Sequence, residues 1–166
     1  MTQSTTVREA RDAYLAENGF TVAGYDEPKT EASFMGIRFT VPNTPRHRFA
    51  IMLHDLHHVA TGFGTDIVGE GEISAWELRH IRALGWYVGG IVALGAFAGA
   101  AAAPRRAWAA FRGMRGKTLF ELARTEAEYE ALLDLDVSEL RRRLNVPPDG
   151  LARGPRHLHR YAPPRS

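Results

Sequence analysis

His54-Asp55-Leu56-His57-His58 lies inside a stretch of helical periodicity, and Glu70 follows His58 after eleven intervening residues. In a helix, side chains four apart point the same way, and those three apart lie about 60° around the axis from one another. His54, His58 and Asp55 therefore share one arc. A Gly-rich turn at Gly62 and Gly64 lets the next helix fold back and bring Glu70 to them. Two imidazoles and two carboxylates suit Zn²⁺, with Fe²⁺ or Mn²⁺ as alternatives. The expected metal ligands, and the catalytic set if the metal does chemistry, are His54, Asp55, His58 and Glu70. Glu72 competes with Glu70, because Gly69-Glu70-Gly71-Glu72 can slip by a fraction of a turn. Glu77, a heptad beyond Glu70, is placed to orient a ligand from behind. His57 points away from the arc and reads as a hydrogen-bonded core histidine. The chain has no cysteine, so a thiolate nucleophile, an iron–sulfur cluster and a Cys-type zinc site are excluded.

Other chemistries fit these residues less well. His54-x-x-His57-His58 also matches a desaturase-type histidine box, but such enzymes need about eight histidines in several boxes. This chain has seven, with His47, His80, His157 and His159 scattered. A zincin-type hydrolase wants Glu in place of Asp55, and an HD-type phosphohydrolase wants a further Asp and more distant His ligands. A site of four protein ligands also suits a purely structural metal that ties two helices together.

The elements that must position these residues are mostly helical. Val7, Ala10, Tyr14 and Leu15 form one stripe of a first helix that Gly19 closes. Residues 21–44 read as loop with one small hairpin strand. Phe49, Met52, Leu53, Leu56 and Ala60 give the metal-bearing helix its period, with Pro45 in its first turn. Thr65 or Asp66 caps the next helix. Residues 83–103 carry no charge and are rich in Ala and Gly, which fits a buried helix or helical hairpin, interfacial insertion or a membrane span. Gly85-x-x-x-Gly89 and Gly95-x-x-x-Gly99 would let another backbone, as in a homodimer, or a lipid chain come close. Trp108, Phe111 and Met114 recur beside basic residues, as at a membrane surface or on a solvated basic helix. Leu119–Leu133 reads as one amphipathic helix. Asp136 and Glu139 read as a capping box opening a last one.

The 166 residues bound the answer to one domain, with 45 % hydrophobic and 24 % charged residues and a core to bury. The expected architecture is all-α, a single-domain bundle of about six helices spanning residues 1–148, with a metal-binding helix pair and an apolar groove. Residues 149–166 read as a basic disordered tail. Net charge is +2 but uneven, −3 over residues 1–103 and +5 over residues 104–166. No helix-turn-helix, zinc-finger or RNA-binding signature accompanies the basic part, so nucleic acid is not an expected partner. The start lacks a basic segment followed by an apolar one, so a cytoplasmic location is expected.

At the metal motif a resemblance becomes specific. His54-Asp55-x-x-His58, eleven residues, Glu70, then Ile73-Ser74-Ala75-Trp76-Glu77, resembles the ubiquinone (coenzyme Q) biosynthesis protein four family. Ala16-Glu17-Asn18-Gly19-Phe20 upstream, the Ala/Gly-rich stretch, and Leu135-Asp136-Val137-Ser138-Glu139-Leu140 near the end extend the likeness over about residues 7–148. The resemblance implies an all-helical, peripherally membrane-associated protein holding a prenylated quinone precursor or other isoprenoid lipid beside a Zn²⁺-type site. It also implies removal of the ring carboxylate at C1, with hydroxyl in its place, by a metal-dependent decarboxylase, and a scaffold role toward other quinone-biosynthesis enzymes. On this chain the implied ligands are His54, Asp55, His58 and Glu70, and residues 83–103 become the isoprenoid groove. The chain departs from the pattern by an extra Gly71-Glu72 before Ile73, and residues 149–166 match nothing in it.

Overall fold

A computed structural model describes residues 5–34 and 37–153, with the side chains of residues 30–39 left aside. Among the described residues the fold is all-α apart from one hairpin. Helix α1 (Val7–Glu17) opens on Thr6, which forms a reciprocal capping box with Glu9. Strands β1 (Lys29–Phe34) and β2 (Ile37–Pro42) pair antiparallel, with Lys29 opposite Pro42 and Phe34 opposite Ile37. Two full strands thus occupy the region expected to be mainly loop.

Helix α2 (Pro45–Thr61) starts as its sequence demands, with Thr44 as N-cap and Pro45 in the first turn. It ends at Gly62, which takes the left-handed conformation at φ 78°. Asp66 caps α3 (Ile67–Leu78) by accepting from the Gly69 N–H at 2.7 Å. Helix α3 is buried from Gly71 to Glu77 and packs mainly on α4 (Gly85–Ala102) and α5 (Pro104–Gly113). The remaining helices are α6 (Leu119–Leu122), α7 (Glu126–Leu133) and α8 (Val137–Arg143). Leu53, Leu56, Ile73, Trp76, Leu119, Leu133 and Leu140 are all buried in one core that α2 and α3 run through.

Three boundaries differ from expectation, two for a local reason and one through a distant contact. The helix expected over Leu119–Leu133 divides in two, because Thr125 and Glu128 form a capping box of their own and restart it. The capping box expected at Asp136 is not made, since the Glu139 carboxylate is held by Arg142 at 2.7 Å and Arg143 at 2.9 Å. The first residues of the expected tail pack instead of leaving the domain: the N–H groups of Leu151 and Ala152 donate to the Thr61 carbonyl at 2.7 and 3.1 Å. The rest of that tail, residues 154–166, lies outside the described residues.

Helix α4 is long and apolar enough to cross a membrane, yet one third of it is buried against the protein. Its inner face packs on α3 so closely that Gly71 and Gly99 touch backbone to backbone. Its outer face leaves Trp86 88 % and Phe97 70 % exposed, and Trp108 of neighbouring α5 is 61 % exposed.

Candidate metal centre

Helix α2 delivers His54 and His58 one turn apart, and α3 returns past them to deliver Glu70 from its first turn. One ligand atom of each lies within 4.8 Å of the other two. His54 Nε2 is 3.1 Å from His58 Nε2, and the Glu70 carboxylate oxygens lie 3.4 Å from His54 Nε2 and 3.5 Å from His58 Nε2.

The protons on these rings follow from their far-side partners. His58 Nδ1 lies 3.0 Å from the Phe63 carbonyl, which can only accept, so Nδ1 carries the hydrogen and donates. His54 Nδ1 is 2.9 Å from Glu77 Oε1 and donates to it in the same way. With a hydrogen on each Nδ1, the two Nε2 atoms face one another, with a carboxylate alongside, and in the neutral form of each ring Nε2 carries a lone pair. Two lone pairs and an anion converging in this way need a cation among them, either a proton or a metal ion. This is the donor set and the backing of imidazoles by a carboxylate and a carbonyl that a divalent metal site requires.

The electrostatics agree. Burial acts to lower the His54 pKa, but the negative charges of Glu77 and Glu70 outweigh it and raise it well above the ordinary value. Burial pushes Glu70 up, yet the facing histidines hold it below the usual carboxylate range. For Glu77 burial again acts upward, and His54 and His57 hold the carboxyl down at about 2. The Glu70 side chain remains 43 % exposed, so the cluster opens to solvent on that side.

The four expected ligands do not all gather equally. Asp55 stands beside the cluster, where its carboxylate accepts the Tyr25 hydroxyl at 2.6 Å and is close enough to His54, His58 and Glu70 to feel their charge. Burial raises the Asp55 pKa, and the Tyr25 bond and the two histidines oppose that rise. Glu72 faces the other way and grips Arg106 of α5 through two hydrogen bonds of 2.9 and 2.7 Å, which removes it as a rival to Glu70. His57 is fully buried, between the rings of Trp76 and Phe120.

Sequence reasoning missed Tyr14 and Tyr25 as parts of the site. The Tyr14 ring stacks on His58 with centroids 5.4 Å apart and 19° between planes, although its spacing marks it only as part of the apolar stripe of α1. Burial raises the pKa of both phenols, and the Asp55 charge raises it further, so both stay protonated. The Phe63 carbonyl is a backbone group and has no signature in side-chain type. A pocket of about 250 Å³ lies between α1, α2 and the turn after α2, lined in part by Tyr14, Asn18, His58, Phe63 and Thr65.

No family model matches the chain, and neither a curated protein nor a solved structure matches it.

Proposed function

We propose that the protein binds a divalent metal ion through His54, His58 and Glu70, with Asp55 as the fourth ligand and second carboxylate of the set. On that metal it acts on a prenylated hydroxybenzoate or related quinone precursor, removing the ring carboxylate at C1. The observation that carries the metal half is the convergence of two imidazole lone pairs and Glu70 on one point, with Glu77 and Phe63 fixing the rings from behind. The substrate half rests on the motif resemblance. When bound, the metal would neutralise a substrate carboxylate and phenolate and stabilise ring charge as CO₂ leaves. Zn²⁺ fits the ligands, and Fe²⁺ or Mn²⁺ fits better a step that puts hydroxyl in place of the carboxylate, since that is a two-electron oxidation in which an external oxidant, dioxygen, would supply the hydroxyl oxygen and accept the electrons as CO₂ leaves, and zinc has no redox chemistry.

The chain's own groups have clear parts in this reading. The Tyr14 ring, lying over His58, offers a face for an aromatic substrate in the adjoining pocket, whose volume suits one substituted ring and not a polyisoprenoid tail. Exposed Glu70 leaves room for a ligand to enter and can shift its carboxylate to hold or move a proton. The decisive assay offers a prenylated 4-hydroxybenzoate to protein reconstituted with zinc, iron or manganese and follows CO₂ release and product mass. Turnover is expected in wild type and none in His58→Ala. Metal and extractable lipid without turnover would leave a non-catalytic isoprenoid-binding scaffold with a structural metal.

The same reading has the protein cytoplasmic and peripheral on a membrane, where its lipid and other quinone-biosynthesis enzymes meet it. Trp86, Phe97 and Trp108 are its apolar contacts, and Arg105 and Arg112 on α5 meet anionic headgroups. Each aromatic contributes about 1.5–3 kcal/mol when buried, so changing all three to Ser is expected to weaken flotation with anionic liposomes at least about tenfold. Unchanged flotation would remove the membrane from the proposal.

A further inference from the structure

We infer that Glu77 and His57 are positioning residues for the metal, which together dictate the nitrogen His54 presents to it and link that choice to the seating of α6 on α2. The inference rests on the metal reading above and concerns the groups behind the ligands.

The chain of donors and acceptors starts at the backbone of α6. The Leu119 N–H can only donate, and its acceptor is His57 Nε2 at 2.8 Å. That nitrogen therefore carries a lone pair. His57 is enclosed by Trp76 and Phe120, each with its ring centroid 5.0 Å away, and a ring whose Nε2 accepts a hydrogen bond carries no hydrogen there and is neutral. Its one hydrogen must sit on Nδ1, which donates to Glu77 Oε1 at 2.6 Å. The same oxygen accepts from His54 Nδ1 at 2.9 Å. With its hydrogen held on Nδ1, His54 has only the Nε2 lone pair left, and that atom faces His58 and Glu70.

A second observation bears on the same carboxylate. Glu77 is fully buried, and its other oxygen, Oε2, has no hydrogen-bond partner among the described residues. A buried anion satisfied on one oxygen alone is costly unless a positive charge lies close by. A cation on the far side of His54 supplies that charge through the imidazole, as in carboxylate–histidine–metal arrangements. Glu77 thus serves the ligand in front of it, and His57 serves Glu77 by holding it to the first residue of α6. A shift of Leu119 would free His57 to exchange tautomers and would loosen Glu77 from His54.

The test uses the full chain and zinc alone, with affinity measured by competition against a chromogenic chelator. Glu77→Gln and His57→Leu are each expected to weaken zinc binding about 10–100-fold. His57→Gln can accept the Leu119 N–H on its amide oxygen and donate an amide hydrogen to Glu77, so it is expected to bind zinc close to wild type. Glu72→Gln, which weakens the ion pair that buried Glu72, on the same helix as Glu77, makes with half-buried Arg106 of α5, is expected to lower the melting temperature and leave zinc affinity unchanged. A merely structural role for Glu77 would make Glu77→Gln behave like Glu72→Gln. The two-bond ¹H–¹⁵N spectrum of zinc-loaded wild type is expected to show His57 protonated on Nδ1 alone, and it decides the matter if the variants do not fold. Folded Glu77→Gln and His57→Leu with wild-type affinity, or His57 protonated on Nε2, would overturn the inference and leave the metal reading standing. Wild type that takes up no zinc would overturn both.

Discussion

Purified His58→Ala and Glu70→Ala are expected to carry no metal, where wild type carries about one ion per chain after reconstitution. Each variant removes a donor from a cluster in which three ligand atoms lie within 4.8 Å. The two losses differ in what they leave behind. His58→Ala opens a hole under the Tyr14 ring and releases the Phe63 carbonyl, so a fall in melting temperature accompanies the loss of metal. Glu70 is 43 % exposed, so Glu70→Ala should lose metal with the fold nearly unchanged. Asp55→Asn is expected to lower affinity without emptying the site, because it removes a nearby negative charge while the three gathered ligands remain. Elemental analysis of the three variants beside thermal unfolding checks all of this. Full metal content in folded Glu70→Ala would mean that the cluster is not the binding site.

How far the sequence carries the structure depends on how local each feature is. Helices α1, α2 and α3 are legible because the apolar period lies within a few positions of a start or stop signal, a closing glycine for α1, Pro45 and Gly62 for α2 and the Asp66 N-cap for α3. The turn joining α2 to α3 is legible for the same reason, and with it the approach of Glu70 to His54 and His58. The break between α6 and α7 is also written locally, in the Thr-x-x-Glu at Thr125 and Glu128, but a continuous apolar period across 119–133 hides it. The reverse happened at Asp136, where two arginines within four residues of Glu139 compete for the carboxylate a capping box needs. The choice between Glu70 and Glu72 could not be made from spacing, since it turns on Arg106, which is 34 positions away in sequence and meets α3 only when α5 packs on it. The same holds for Tyr25 with Asp55, 30 positions apart, and for the Leu119 N–H with His57, 62 apart. Residue types and helical geometry identify which groups can be ligands, and tertiary packing decides which of them point inward.

Gly69→Ala and Gly99→Ala are expected to separate the stability of the helix pair from the integrity of the proposed metal centre. Both glycines permit close backbone approach, but against different neighbours. A Cβ on Gly99 would lie 2.2 Å from the Gly71 Cα, so an alanine there must push α4 and α3 apart. Helix α4 is the one free to move, since its outer face meets no other part of the described chain at Trp86 and Phe97, whereas α3 is held on its far side by the core. Gly99→Ala should therefore cost about 1–3 kcal/mol of stability and keep its metal. A Cβ on Gly69 would lie 2.1 Å from the Gly64 carbonyl oxygen, in the turn that joins the two ligand-bearing helices. Relief there has to come from the first turn of α3, which carries Glu70, and the Glu70 oxygens sit only 3.4 and 3.5 Å from the histidine nitrogens with which they would share the proposed metal. A displacement of about 1 Å is enough to spoil a first-row metal site, whose ligand distances tolerate about ±0.2 Å. Gly69→Ala is thus expected to lose most of its zinc affinity even where denaturant unfolding finds it no less stable than Gly99→Ala. If Gly99→Ala lost its metal and Gly69→Ala kept it, the rigid element positioning Glu70 would be the α3–α4 contact and not the turn between α2 and α3.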